Sequence, residues 1–299
     1  MDCTGKILGS KNGFDILECT VCGYAHSFPY PDPSLIEKVY SEEYYSDVKP
    51  DYIKRMEEDL DWWNINYDQR YDILEDNLGK RGSILDVGSG TGYFLKRGVD
   101  RGWDCTGFEP SKDASQYSIQ TLGLNVINDF FNEESVRDIG LFDAIHMSQV
   151  LEHIPNPKEL LHNSWAKLKE NGILCISVPN DYNPFQLILR DSMGYPAWWE
   201  SPPHHLNYFN MESLKKMMID CFFKPIKSTV TFPIDIFLMM GKNYIDDDDL
   251  GRQCHNMRME FEKQLNKAGK NNLKNNLYDS FSELGIGREL IVFGRKISA

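Results

Sequence analysis

Hydrophobic positions change their period several times along this 299-residue chain, and each change marks an element. Residues 1 to about 33 hold two short apolar runs and close on Pro29-Tyr-Pro-Asp-Pro33, a punctuation cluster that predicts the end of a small β-rich appendage. Helical spacing takes over from Ser34: Leu35, Ile36, Val39 and Tyr40 recur on one face, and a second stretch runs from Tyr52 through Trp62 to Leu74. These helices predict a lid, residues 34–80, ahead of the core. Strand and helix patterns then alternate: a strand, glycine turn and helix over Ser83–Val99, a strand at Trp103–Glu109, a helix at Ser111–Leu122 and a strand near Val126. The same grammar continues with a strand at Phe142–Met147, a helix at Pro157–Leu168 and a buried-type strand at Gly172–Val178. Past Pro179 comes an insertion around 180–210 rich in Pro, Trp and His, then a helix at Met211–Cys221 and a β-like segment at Lys227–Phe232. A polar helical insertion around 240–280 precedes the final β-like segment, Glu289–Arg295, entered through the turn Gly285-Ile-Gly287.

The alternation predicts an α/β fold, a Rossmann-like doubly wound sheet of about seven strands ending in an antiparallel strand, with the N-terminal appendage attached. The expected division is 1–33 appendage, 34–80 lid and 81–299 core domain. Composition adds limits. A content of 41% hydrophobic and 26% charged residues is that of an ordinary globular protein. The longest apolar runs are short and interrupted, and the N-terminus lacks the order of a signal peptide, so a cytoplasmic protein without membrane contact is expected. A formal net charge of -13 repels phosphate backbones and argues against nucleic acid as partner, which favours a small-molecule substrate. Of the seven cysteines, Cys105, Cys175, Cys221 and Cys254 lie singly in core-like or helical segments, a usage that suits a reducing compartment.

Ile84-Leu-Asp-Val-Gly-Ser-Gly-Thr-Gly-Tyr-Phe-Leu95 is an apolar strand ending in alternating glycines before a helix, the arrangement that lets a backbone approach a nucleoside-bearing ligand. A dinucleotide fingerprint would place its third glycine at Tyr93, and Asp86 would sit badly beside a pyrophosphate. A ligand carrying a sulfonium and an ammonium group fits better. The next strand ends in Glu109, about 20 residues on, where a carboxylate can take both ribose hydroxyls. Asn128-Asp129-Phe130 can offer an acceptor and an aromatic face to adenine, and Phe142–Pro155 supplies a strand whose end opens onto the same crevice.

The ordered segments DVGSGTG, GFEPS, FDAIHMSQVLEHIPNP and LKENGILCISVPN, from Gly82 to Asn180, resemble the successive motifs of class I S-adenosylmethionine-dependent methyltransferases. The resemblance implies that Asp86, Gly88 and Gly90 contact the methionine part of the cofactor, Glu109 the ribose, and Asp129 with Phe130 the adenine. It also implies that Ser148 and Gln149 line the reactive end. Methyl transfer from a sulfonium chiefly needs alignment and exclusion of water, with a base for a hydroxyl acceptor. His204 and His205, in a loop resembling the segment before the last helix in the small-molecule branch of the family, are the preferred bases. His153, in Val-Leu-Glu-His-Ile, either shapes the site or joins the chemistry, while His146 and His162 read as packing. The pairs Trp62-Trp63 and Trp198-Trp199 either line a pocket for a sugar, quinone or other flat acceptor or cement the lid.

Cys19-Thr-Val-Cys22 before Gly23 has the spacing of one zinc knuckle, and Cys3 and His26 are the nearby residues that can complete it. The segment resembles the N-terminal zinc-binding segments of several sugar-modifying methyltransferases; a metal-free hairpin with reduced thiols is the alternative. Asp246–Asp249 lacks the spaced oxygens and glycine of a calcium loop and reads as a solvated turn. The expected activity is methylation of a small molecule, on an oxygen of a sugar or related metabolite. The competing readings are a noncatalytic cofactor-binding module for sensing or assembly and a methyltransferase acting on RNA or protein.

Overall fold

The computed structural model describes residues 3–32 and 51–298. The helix expected around Leu35–Tyr40 lies outside the described residues. Three strands open the chain, β1 (Gly5–Lys11), β2 (Phe14–Cys19) and β3 (Ala25–Phe28), so the appendage is β-rich as its pattern implies. Asn12 and Gly13 turn β1 into β2 with φ of 52° and 83°, the pair of left-handed residues that a tight hairpin with twisted strands requires. The sheet runs β1-β2-β3-β9, where β9 (Asn207–Tyr208) comes from the distant insertion. It pairs antiparallel with β3 through Ala25↔Tyr208 and His26↔Asn207.

Helices α1 (Tyr52–Glu58) and α2 (Leu60–Leu78) precede the main sheet, whose strands are β4 (Ser83–Val87), β5 (Asp104–Phe108), β6 (Val126–Ile127), β7 (Phe142–Ser148), β8 (Leu168–Pro179), β10 (Phe223–Val230) and β11 (Glu289–Lys296). Their order is β10-β11-β8-β7-β4-β5-β6, a mixed seven-stranded sheet of the Rossmann-like kind. Ile84, Leu85, Ala144, Ile145 and Met147 are buried to the last atom, which is why these strands read as continuous apolar runs instead of alternating ones. Strand β4 pairs in parallel with β5 on one side, Ser83↔Asp104 to Val87↔Phe108, and with β7 on the other, Ile84↔Ala144 to Val87↔Met147. The chain therefore winds away from β4 in both directions, and the carboxyl ends of β4 and β7 form the switch point at which such sheets bind ligands.

The connecting helices are α3 (Tyr93–Arg101), α4 (Lys112–Gln120) and α5 (Pro157–Lys167). Ser111 caps α4 by accepting the Ala114 N–H. Helix α6 (Pro184–Met193) starts on a capping box of Asn183 and Gln186, and α7 (Met211–Asp220) and α8 (Asp235–Met239) flank β10 in sequence. The polar insertion forms two helices, α9 (Asp248–Lys267) and α10 (Asn271–Glu283), with Gly269 at φ 66° between them. Asp247, from the acidic run, caps α9 through the Leu250 N–H.

Contacts gather the chain into two compact units. One holds Met1–Tyr30, Ser177–Met217 and Lys227–Val292; the other holds Pro31–Ile176, Met218–Ile226 and Phe293–Ala299. In the first, Ile16, Ala25, Trp199 and Tyr208 form a buried cluster against which Leu8, Tyr182, Ala197 and Trp198 pack. No helix among the described residues is long and apolar enough to cross a membrane.

Candidate active site

The glycine turn after β4 is built from backbone that only glycine adopts without strain. Gly88 and Gly90 have φ of 69° and 55°, and a Cβ on Gly88 would lie 2.6 Å from Val150 Cγ2. The turn is tied to β5 by Gly88 and Ser89 N–H groups donating to Phe108 O at 2.8 and 2.9 Å. Its middle is tied to Glu109: Gly90 N–H donates to Oε2 at 2.7 Å and Ser111 N–H to Oε1 at 2.9 Å. Glu109 is thus clamped between the glycine turn and the start of α4, with 5% of its surface exposed. Burial pushes its carboxyl up to about 7 against the two N–H groups that favour the anion, and the nearby Asp86 charge adds to the rise.

Asp86 faces away from bulk water. Its Oδ1 lies 2.7 Å from His146 Nδ1, and His146 Nε2 lies 2.9 Å from Arg70 Nη1 on α2. Arginine only donates, so Nε2 must accept, the proton of the neutral ring sits on Nδ1, and the ring donates to Asp86. Complete burial holds the imidazole below its usual range despite the carboxylate, and the Arg70 charge works in the same direction. Phe94 stacks on the ring with centroids 3.8 Å apart. Arg70 Nη1 also donates to Ser148 Oγ at 3.3 Å. One buried relay therefore joins the acid of the glycine turn to the serine at the end of β7. The sequence assigns His146 to packing and does not single out Arg70. The partners lie 60 and 76 residues apart, and no local spacing announces them.

Gln149, next to Ser148, is exposed and sits at φ 57°, a left-handed conformation unfavourable for a side chain. Asp129 is exposed beyond β6; its Oδ1 accepts the N–H of half-buried Phe130 at 2.7 Å. Asn128 Nδ2 donates to Glu109 O at 2.9 Å, which fixes this loop to the end of β5. Asp86, Gly88, Gly90, Glu109, Asp129, Phe130, Ser148 and Gln149 all belong to one compact unit.

His153 belongs to the same unit, on a short 3-10 turn (Leu151–His153), with Nε2 3.7 Å from buried Glu152 Oε1. His204 and His205 belong to the other unit; His204 is exposed and His205 half-buried. The loop that carries them is held by its own unit: His205 N–H donates to Ser201 O, and His205 O accepts from Tyr208 and Ser27 hydroxyls at 3.1 and 3.2 Å. The two tryptophan pairs are internally edge-to-face, Trp62–Trp63 at 4.6 Å and Trp198–Trp199 at 4.9 Å between centroids.

The four ligand atoms of Cys3, Cys19, Cys22 and His26 lie within 4.8 Å of one another. Cys3 and Cys22 sulfurs are 3.7 Å apart, close to the edge of a tetrahedron of about 2.3 Å Zn–S bonds. Cys22 N–H points at Cys19 Sγ from 3.3 Å; it draws that thiol down to about 6 although burial opposes the change. Burial and the neighbouring thiols push Cys22 up to about 12. His26 has no exposed surface, its Nδ1 lies 2.9 Å from Ser27 O, and its Nε2 has no hydrogen-bond partner. A ring whose proton is committed to a backbone carbonyl, with a buried lone pair facing three sulfurs, is a ready metal ligand. The donor set fits zinc.

A family model described as a methyltransferase domain matches residues 59–223, more than half of the 299, and the chain belongs to that family. A ubiquinone biosynthesis O-methyltransferase of Glaesserella parasuis serovar 5 (strain SH0165) is 32% identical over 112 residues, 34% of this chain and 47% of that protein. A protein-L-isoaspartate O-methyltransferase of Saccharophagus degradans is 30% identical over 125 residues, 40% of this chain and 53% of that protein. The chain thus spans about half the length of these curated relatives. Among solved structures, an S-adenosylmethionine-dependent methyltransferase from Archaeoglobus fulgidus aligns with TM-score 0.50 and 18% identity over 76% of this chain and 90% of that one. The 1,6-didemethyltoxoflavin-N1-methyltransferase of Burkholderia thailandensis, with bound S-adenosylhomocysteine, aligns with TM-score 0.50 and 15% identity over 98% and 100% of the two chains. At these identities the structural matches establish the fold.

Proposed function

We propose that this protein transfers the methyl group of S-adenosylmethionine to an oxygen of a small-molecule acceptor, a sugar or related hydroxylated metabolite. The observation that carries the reading is the glycine cradle at the carboxyl end of β4, closed by a buried carboxylate at the end of β5. The closed side of Gly88 leaves no room for a Cβ, and Glu109 presents an acid to a diol where a ribose would lie. When bound, the cofactor supplies an already activated methyl group. In this reading Asp86, Gly88 and Gly90 hold the methionine part, Glu109 the ribose, Asp129 and Phe130 the adenine, and Ser148 and Gln149 border the reactive end. The Arg70–His146–Asp86 relay sets Asp86 and Ser148 in place. His204 or His205 takes the proton of the acceptor hydroxyl, and His153 shapes the site or shares that task. Cys3, Cys19, Cys22 and His26 hold a structural zinc ion. The names of the matched curated relatives support oxygen as the acceptor atom, and the surface charge supports a small molecule over nucleic acid.

Calorimetric titration of S-adenosylhomocysteine into the protein, repeated on Glu109→Ala with NAD as control, tests the assignment. Micromolar affinity that falls at least about tenfold in the variant is expected from losing hydrogen bonds to a charged acceptor. Absence of binding by the ligand-free protein refutes the reading.

A further inference from the structure

Metal-binding residues and the histidine-bearing loop meet in the four-stranded sheet. Cys3 precedes β1, Cys19 ends β2, Cys22 lies in the turn that follows, and His26 is the second residue of β3. Across from His26 stands Asn207, two residues after His205. Strand β9 is two residues long and has β3 as its neighbour in this sheet, so its ladder with β3 is short. Beside the β3–β9 pairing and the Tyr30 hydroxyl, which donates to Asn207 Oδ1 at 3.1 Å, two bonds to the loop come from Ser27, the residue after His26. Its N–H donates to Leu206 O at 2.7 Å, its hydroxyl donates to His205 O at 3.2 Å, and its carbonyl takes the His26 ring at Nδ1.

We infer that a zinc ion held by Cys3, Cys19, Cys22 and His26 fixes the position of the His204–His205 segment, acting through the His26 ring and the Ser27 peptide. The inference rests on the zinc assignment above, not on methyl transfer. On binding, the cysteines that are still protonated release their protons to solvent and the buried His26 Nε2 lone pair gains the metal as partner. The ring is then held from both sides: the metal at Nε2, the Ser27 carbonyl at Nδ1. A metal-ligating histidine is oriented by such an outer partner, and here that partner's own N–H and hydroxyl grip the loop. Removing the ion frees the ring, the Ser27 peptide loses one of its restraints, and the short β3–β9 pairing opens more often. Further clamps confine the rest of the loop, Lys11 Nζ to Glu200 O at 2.6 Å and Asn12 Nδ2 to Pro202 O at 2.8 Å, so the effect is local to 204–208.

The test uses the full chain, purified under reducing conditions with zinc. Metal content is measured by mass spectrometry, and amide hydrogen exchange is followed before and after stripping with a chelator. One zinc per chain is expected, with exchange at 25–28 and 204–208 rising about tenfold on stripping, the scale of losing a restraint worth one hydrogen bond. Segments 84–95 and 105–109 should be unchanged, and S-adenosylhomocysteine affinity should stay within twofold. Ser27→Ala keeps all four ligands; it should retain one zinc yet show faster exchange at 204–206. Protein without zinc, or stripping that leaves 204–208 unchanged, overturns the inference. So does a uniform rise along the chain, which would mean general destabilisation. Failure to bind S-adenosylhomocysteine in the zinc-loaded protein refutes the methyltransferase reading and leaves this coupling standing.

Discussion

Replacing Glu109 by Gln separates what the fold wants at this position from what the ligand wants. Burial raises the Glu109 carboxyl from 4.5 to about 7, so the folded protein prefers the uncharged acid over a range of pH where the unfolded chain carries the anion. The sign follows: the group's contribution to stability is fully present below about 4.5 and is lost as pH climbs to about 7. At about 1.4 kcal/mol for each pH unit, the full loss is about 3.5 kcal/mol. Gln is neutral throughout and escapes this loss. Its amide can accept one of the two N–H donors now shared by Glu109, from Gly90 and Ser111, but turns its own NH2 toward the other. That mismatch costs about 1–3 kcal/mol at every pH. The variant should therefore be less stable than the parent at pH 5 and should gain on it by about 2.5 kcal/mol by pH 8, a relative Tm change of about 4 °C for a chain of this length. Differential scanning fluorimetry of both proteins from pH 5 to 8 gives the difference directly, with the other titrating groups cancelling. Parallel curves would refute the claim that this carboxyl is desolvated. In the parent, affinity for S-adenosylhomocysteine should fall as pH drops below 7, because a protonated Glu109 presents one acceptor fewer to the ribose.

Two further substitutions probe the cradle and the other unit. Gly88→Ala puts a methyl group 2.6 Å from Val150 at a positive φ, and should cost about 1–3 kcal/mol in urea unfolding and abolish S-adenosylhomocysteine binding; unchanged affinity would show that the cradle is not the ligand site. Asp181, buried after β8 with Oδ2 unpartnered, is pushed up to about 8 by burial and by Asp235 and Glu200 against the pull of Arg288. Its stability contribution is present below about 3.8 and lost through about 8, so Asp181→Asn should gain Tm relative to the parent as pH rises from 5 to 8, and a pH-independent difference would contradict that.

Much of the glycine turn and its neighbouring acid was legible because it is local. A parallel strand, an alternating glycine turn and an acid at the end of the next strand have fixed spacings along one chain, and β4, the turn and Glu109 lie where those spacings put them. The cysteine cluster was legible as a set: Cys19 and Cys22 announce each other, Cys3 and His26 are the nearby residues able to join them, and the fold brings Cys3 in because β1 folds back on β2 with Gly5 opposite Cys19. His146 is buried and stacked on Phe94, as a packing residue should be, but its polar bonding was not legible. In an apolar strand it has the pattern of a packed ring, and its polar role comes from Asp86 and Arg70, which reach it from β4 and from α2.

The sequence by itself therefore determined the class of fold, the glycine turn and the acid beside it, since hydrophobic period and backbone conformation are set within a few residues. Tertiary structure alone decided that β9 joins the appendage sheet, that residues 1–30 pack in one unit with 177–217 and 227–292, and that His146 lies between a carboxylate and a guanidinium. Those outcomes depend on which distant surfaces bury each other. That choice belongs to the packing of the whole chain, and no window of neighbouring residues contains it.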